Sequence, residues 1–347
     1  MRVIQVGTGP LGRVTLKRLI EHPHVDVVGA HGRSSDKVGM DVGTLVGRDP
    51  IGVRVTDNLA ELAALDADCA VFMTKWRPAE EMLPELLPFL RAGTNVVTTT
   101  DWFDPRAHAD TTHHDMIAEA CRNGGSSLVA TGLNPGFVIE RLGLALTGLC
   151  TRVDHIHLIE RYDCSSLPKA AAGMGFGQPV SVFDANAQRW HRFDYLFRQV
   201  PYHVCRMLGR TPEKVTVDTD IAPASKTIAL ADGIVEPGTV AGMRWRWSAV
   251  VDGAPMATVE TLWIVDPDIP GWEAAGHWTL IVEGVPSFRL VLDLGQSFAN
   301  PESASADGHY SLVVSEAIAG AVINALPMAQ ASSPGLVFFE DAAPLWR

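Results

Sequence analysis

Arg2-Val3-Ile4-Gln5-Val6-Gly7-Thr8-Gly9-Pro10-Leu11-Gly12 opens the chain and decides the reading of its first half. A run of strand-forming residues ends in three glycines spaced G-x-G-x-x-G. An amphipathic helical pattern, Arg13 to Glu21, follows, and then a second apolar run from Val25 to Ala30. The first glycine permits a tight turn, the second lets the backbone approach a pyrophosphate, and the third lets helix and strand pack closely. Free N–H groups and the positive end of the helix dipole can then bind an anion without a charged side chain. A glycine-rich turn alone would show the same spacing. Here strand, turn, helix and second strand occur in order, which predicts dinucleotide binding through Gly7, Thr8, Gly9, Pro10, Leu11 and Gly12.

The end of the second strand selects the dinucleotide. A site for NAD places an Asp or Glu about 20 residues after the glycines, where it accepts from the ribose 2′-hydroxyl. This chain reads Gly29-Ala30-His31-Gly32-Arg33-Ser34-Ser35-Asp36-Lys37, with no carboxylate at the strand tip. Arg33, with Ser34 and with His31 or Lys37, suits a 2′-phosphate through charge-assisted hydrogen bonds. An ordinary polar loop is the plain alternative. The expected coenzyme is therefore NADP, with NAD second, and Thr74 beyond the strand Cys69 to Met73 joins the cofactor-binding candidates.

Outward from this core, strand patterns at Val53 to Val55, Cys69 to Met73, Asn95 to Thr100 and Ser127 to Thr131 alternate with helical ones at Leu59 to Leu65, Ala79 to Ala92 and Ala109 to Asn123. That alternation predicts an α/β, Rossmann-type, doubly wound parallel sheet over residues 1–135. From about Val153 the texture changes. A small-residue segment, Ser165 to Pro179, reads as loop plus short helix, and Arg189 to Gly209 as a helix interrupted at Pro201. Four long alternating runs follow, Met243 to Val251, Met256 to Val265, His277 to Glu283 and Ser287 to Leu294. Asp252-Gly253 and Glu283-Gly284 are placed for hairpins. Residues 136–308 are thus expected to form an α+β substrate and dimerisation domain with a largely antiparallel meander. Residues 309–347 are expected to carry a helix, Tyr310 to Leu326, that ends before Pro327 and returns to the first domain.

Composition narrows the classes. The 347 residues exceed the roughly 250–300 at which single cores stop growing, so two cores are expected. With 40 Asp plus Glu against 28 Lys plus Arg, the net charge of −12 opposes nucleic-acid binding. No apolar stretch is expected to reach the ~18–20 residues that span a bilayer, and no leader peptide is visible. Five scattered cysteines, Cys69, Cys121, Cys150, Cys164 and Cys205, read as reduced, mostly buried thiols of a cytoplasmic protein.

Ligands of open parallel sheets sit beyond the carboxyl ends of the strands. Asp101, at the end of Asn95 to Thr100, is therefore the candidate proton-transfer group, and its neighbours Trp102 and Phe103 would raise its pKa by desolvation. A helix- or turn-capping role is the alternative, and Asp104 before Pro105 is a rival for it. The turn Thr131-Gly132-Leu133-Asn134-Pro135-Gly136-Phe137 sits at the same mouth of the sheet. It suggests a nicotinamide contact at Asn134 and a substrate contact at Phe137, beside the plain turn signal. His108, His113, His114 and Asp115 are not read as a metal set, because adjacent histidines point to different helix faces and nothing completes the coordination. Trp245, Trp247, Trp263 and Trp278 read as sheet packing or a subunit interface. Arg244 and Arg246, alternating with them, read as a solvated or interface face.

The glycine loop, the strand ending at Asp101 and the turn Asn134-Pro135-Gly136-Phe137 together resemble the dihydrodipicolinate reductase-like superfamily. Within it the resemblance is to the 2,4-diaminopentanoate dehydrogenases and related amine dehydrogenases. It extends to Glu160-Arg161-Tyr162-Asp163-Cys164-Ser165, Met174-Gly175-Phe176-Gly177, Asn324-Ala325-Leu326-Pro327 and Pro334-Gly335-Leu336. The resemblance implies a two-domain NAD(P)-dependent homodimer with its site between domains. It also implies conversion of a ketone or aldehyde plus ammonia to an amine by hydride transfer. A glutamate handles the protons in that family; the matching place here holds Asp101, one methylene shorter. The His-His and Lys-x-Asp-x-Pro-Ser-Gly-Thr motifs of true dihydrodipicolinate reductases are absent. Trp102, Phe137, Met174 and Phe176 are the expected substrate contacts. An ammonia-independent carbonyl reductase and a dinucleotide-binding sensor remain the alternatives.

Overall fold

The computed structural model describes residues 1–75, 77–165, 167, 170–183, 188–273, 276–299 and 310–339. Two compact units emerge, one of Met1–Phe137 with Tyr310–Phe339 and one formed by the described residues between 138 and 299. In the first, β1 (Arg2–Val6), α1 (Pro10–Glu21), β2 (Asp26–His31), the single turn α2 (Val42–Leu45), β3 (Val55–Thr56), α3 (Leu59–Ala63), β4 (Cys69–Phe72), α4 (Ala79–Arg91), β5 (Asn95–Thr98), α5 (Thr112–Gly124) and β6 (Ser127–Ala130) alternate. Val3, Ile4, Val6, Ala70, Val71, Val96, Val97, Leu128 and Val129 are buried. Strands covered on both faces read as continuous apolar runs for this reason.

The second unit begins with a wide helical turn, Val138–Gly143, that continues through α6 (Leu144–Leu146). After it come β7 (Arg152–Asp163), α7 (Gln188–Met207), β8 (Lys214–Pro223), the small hairpin β9 (Ile228–Leu230) and β10 (Gly233–Val235), β11 (Val240–Val251), β12 (Ala254–Ile264), β13 (Trp278–Val285) and β14 (Phe288–Leu292). The six-stranded sheet runs β14-β13-β7-β12-β11-β8. It is mixed, not a simple meander, because β7 enters between the hairpins and lies parallel to β12. Strand β7 escaped the sequence reading because Glu160 sits among its inward residues and blurs the alternation. Asp252-Gly253, both at positive φ, makes the tight turn between β11 and β12. Glu283-Gly284 lies inside β13 instead, and the chain reverses at residues 286–287.

Helix α7 covers one face of this sheet, and the tryptophans are its packing surface. Phe197 stacks on Trp247 at 4.8 Å, Phe193 meets Trp263 at 4.9 Å and Trp190 meets Trp245 at 5.4 Å. That packing carries the helix straight through Pro201, where an interruption was expected. Val200 and Val204 on either side are fully buried, which outweighs the missing i to i−4 bond. On the opposite face Arg244 and Arg246 pair with Asp220 and Asp218, and Arg246 also reaches Glu260. All five cysteines are buried and free.

The chain then returns to the first unit as α8 (Tyr310–Ala331) and β15 (Gly335–Val337), which pairs in parallel with β6. The parallel sheet is completed in the order β15-β6-β5-β4-β1-β2-β3. Two expectations change here. Helix α8 does not stop before Pro327, whose exposed position leaves the unmade bond facing water. Its segment Leu312–Ala331, 20 residues of mean hydropathy 1.7, is also long and apolar enough to cross a bilayer, contrary to the sequence reading. In this fold the helix contacts α1, β4, β5 and β6, with Ala319, Val322, Ala325, Leu326 and Ala329 buried. Arg18 of α1 forks onto Glu316 of α8 at 2.8 and 2.7 Å. Because Leu326 is 1% exposed, Leu326→Ala should lower unfolding free energy by about 2–5 kcal/mol, read from a urea titration. A loss below about 0.5 kcal/mol would mean that α8 is not docked as described.

Candidate active site

The glycine turn is shaped by what each glycine faces. Gly7, at φ +100°, donates to the His31 carbonyl at 3.2 Å, and a Cβ there would stand 2.4 Å from the Met73 carbonyl oxygen. A Cβ on Gly12 would stand 2.1 Å from the Gly7 carbonyl oxygen, so only glycine lets α1 sit this close to β1. Gly9 differs, since nothing lies within 4 Å of the place its Cβ would take. It caps α1 with no side-chain hydrogen bond, and Pro10 occupies the first turn. The first-turn amides are thus left for an anion arriving over Gly9.

These residues wall a cavity of about 580 Å³ together with residues 31–34, Lys37, residues 73–75 and Thr99. The structure therefore gathers Gly7, Thr8, Gly9, Pro10, Leu11, Gly12, His31, Arg33, Ser34, Lys37 and Thr74 around one space. A dinucleotide fits this donor set: open amides at one end and cations at the other. Lys37 Nζ donates to the Thr8 carbonyl at 3.0 Å, so it braces the turn as well as lining the cavity. Ser34 Oγ donates to Asp36. His31 is 3% exposed and its Nδ1 is buried without a partner. Burial, and then the Arg33 charge, hold its pKa below the usual imidazole value.

Arg33 is gripped from a direction the sequence did not reveal. Its Nη2 donates to Glu85 of α4, whose other oxygen accepts from Arg77 Nη2 at 2.7 Å. Neither Arg77 nor Glu85 lies in a motif, and only the fold, which brings α4 to the loop after β2, places them at this corner.

At the end of β5, Asp101 is 2% exposed and holds φ +24°, an uncommon conformation for a non-glycine residue. The preceding Thr100 hydroxyl meets Thr98 Oγ1 at 2.9 Å. Trp102, 1% exposed, meets His113 edge-on at 5.7 Å. Asp104, the rival carboxylate, is fully buried and committed to a two-pronged bond from Arg106 at 2.7 and 2.8 Å. Arg106 in turn stacks 4.0 Å over Phe338. Asp104 is therefore a structural ion pair. On this strand the described cavity wall ends at Thr99, two residues before Asp101.

The turn after β6 contains a cis Asn134–Pro135 bond. It also contains Gly136 at φ +118°, where a Cβ would meet the Gly132 nitrogen at 2.3 Å. Asn134 and Phe137 are partly exposed. Met174, half-buried, and Phe176, 2% exposed, belong to the other unit, where Gly175 and Gly177 flank Phe176 at positive φ.

Residues 1–128 match the family described as dihydrodipicolinate reductase, N-terminus. An amine dehydrogenase of Streptomyces virginiae is 26% identical over 357 residues, covering 95% of this chain and 92% of that protein. The chain is thus similar to an amine dehydrogenase along nearly its whole length. The 2,4-diaminopentanoate dehydrogenase of Acetoanaerobium sticklandii is 21% identical, covering 84% of this chain and 83% of its own. In fold, a solved amine dehydrogenase from Mycobacterium smegmatis superposes with a TM-score of 0.74 at 23% identity, over 100% of this chain and 96% of that one.

Two outcomes follow from this geometry. Gly9→Val should leave the melting temperature unchanged and weaken dinucleotide binding at least tenfold by calorimetry, whereas Gly12→Ala should lower both binding and stability, the latter by about 1–3 kcal/mol. Equal binding by Gly9→Val would mean that no anion approaches there. Because His31 has a depressed pKa, the unfolded chain binds its proton first. Stability should therefore fall as pH drops below about 6.5, and His31→Gln should flatten part of that slope in urea titrations at stepped pH. An unchanged slope would place His31 in water.

Proposed function

We propose that the chain is an NADP-dependent amine dehydrogenase, a cytoplasmic homodimer that interconverts a small, partly apolar ketone or aldehyde plus ammonia with the corresponding amine. The observation that carries the reading is the cavity itself, open over the Gly9 amides and basic at Arg33 and Lys37. The likeness to the Streptomyces virginiae amine dehydrogenase along nearly the whole chain supports the chemistry. When bound, the coenzyme supplies or accepts the hydride at its nicotinamide ring.

The amides around Gly9 would hold the pyrophosphate, and Arg33 the 2′-phosphate. Asn134 and the turn around it would orient the carboxamide. Asp101 would take a proton from ammonium and return it to the departing hydroxyl of the carbinolamine, so that the imine carbon is presented for hydride. Its burial keeps competing water from that carboxylate, and Phe137 would supply an apolar contact. The shorter reach of an aspartate favours one second reading, a carbonyl reductase that needs no ammonia.

Coenzyme oxidation by the purified chain should occur with a ketone only when ammonium is present. Oxidation without ammonium would transfer the chain to the carbonyl reductases. Tight binding with no turnover across a broad carbonyl and amine panel would make it a sensor. Asp101→Asn should keep NADPH affinity within twofold and slow turnover on the order of 100-fold or more. Unchanged turnover would remove Asp101 from the mechanism.

A further inference from the structure

We propose that Arg77, acting through Glu85, sets the positive charge that Arg33 offers to the coenzyme's 2′-phosphate, which makes Arg77 a specificity-determining positioning residue. The inference rests on the NADP reading above. Glu85 shares its two oxygens between two guanidinium groups, Oε1 with Arg33 and Oε2 with Arg77 at 2.7 Å. Two cations on one carboxylate leave one positive charge in excess. The carboxylate and Arg77 are mostly enclosed, with side chains 18% and 19% exposed, while Arg33 is 53% exposed and alone of the three walls the cavity. The excess charge is therefore presented at Arg33.

Arg77 also reaches Glu81, at 3.9 Å, but that carboxylate is 57% exposed and contributes little through water. The Arg77 Nε is buried and makes no hydrogen bond among the described residues, so the guanidinium is held through its Nη2 bond to Glu85. Without Arg77, both Glu85 oxygens would be free to fork onto Arg33, the strongest geometry a guanidinium has, and would cancel its charge. Burial alone would raise the Glu85 pKa, but the bonds from Arg77 and the charge of Arg33 hold it below the usual carboxylate value, so it is anionic at neutral pH.

The test is a charge-balance cycle on the full chain, with dissociation constants for NADPH and NADH measured by calorimetry. The wild type should bind NADPH more tightly. Arg77→Met should cut the NADPH-to-NADH preference about tenfold, while NADH affinity, which reports on folding, stays unchanged. Adding Glu85→Gln to Arg77→Met restores one net positive charge and should restore the preference. Arg77→Lys, which keeps the charge without the fork, should retain most of it. An NADPH preference indifferent to Arg77→Met, or one lost and not recovered in the double variant, would overturn the inference and leave the NADP reading standing. A wild type that prefers NADH would overturn that reading itself, and this inference with it.

Discussion

The constraint on which the rest depends is the contact between the start of α1 and the end of β1. With the place of a Gly12 Cβ only 2.1 Å from the Gly7 carbonyl, the helix is pressed against the strand it follows. Three further contacts hang from that turn. Gly7 donates to His31 at the end of β2, Lys37 donates to the Thr8 carbonyl, and a Cβ on Gly32 would meet Thr8 Oγ1 at 2.4 Å. The phosphate end and the ribose end of the proposed dinucleotide site are therefore one rigid object. A change at either end is felt at the other through backbone and short side-chain contacts, with no long flexible arm between them.

Charge follows a similar economy. In a chain of net charge −12, an anionic ligand is repelled unless the field is reversed locally. Many of the arginines are spent on carboxylates elsewhere: Arg18 on Glu316, Arg48 on Glu21, Arg106 on Asp104, Arg152 on Asp154 and Arg198 on Asp194. The cavity wall instead gathers Arg33, Lys37 and Lys75. Among the described residues Glu85 is the one carboxylate drawn onto Arg33, and it is shared.

What the sequence made legible was local. The alternation of apolar strands with helical patterns gave the parallel sheet, because a strand buried on both faces has to be apolar throughout. The three glycines gave the turn, because each answers a different steric demand. What stayed hidden was set by tertiary packing. β7 carries Glu160 inward, where it accepts from the indoles of Trp278 at 2.9 Å and Trp263 at 3.4 Å, and so a buried position read as polar. Pro201 and Pro327 read as breaks, yet both helices run through them, one held by aromatic stacking and the other with its gap in water. Arg77 and Glu85 carry no motif at all. They meet Arg33 only because α4 lies beside the loop that follows β2.

Asp101 shows how a scaffold can hold a proposed proton carrier against its own backbone preference. A buried aspartate at φ +24° pays in backbone strain and in desolvation, and a plain turn would place glycine or asparagine there. Its surroundings over-determine it. On one side the Thr98 and Thr100 hydroxyls join and Thr98 also donates to the Phe72 carbonyl. On the other, Trp102 is buried and Asp104 is locked onto Arg106 under Phe338, which belongs to the returning C-terminal segment. The segment that returns after α8 thus braces, through Phe338, the stretch that carries the proposed proton carrier. A terminal segment that only completed the sheet could have paired with β6 and stopped at Val337. This one goes on to place an aromatic ring on the arginine that fixes the residue three positions beyond Asp101.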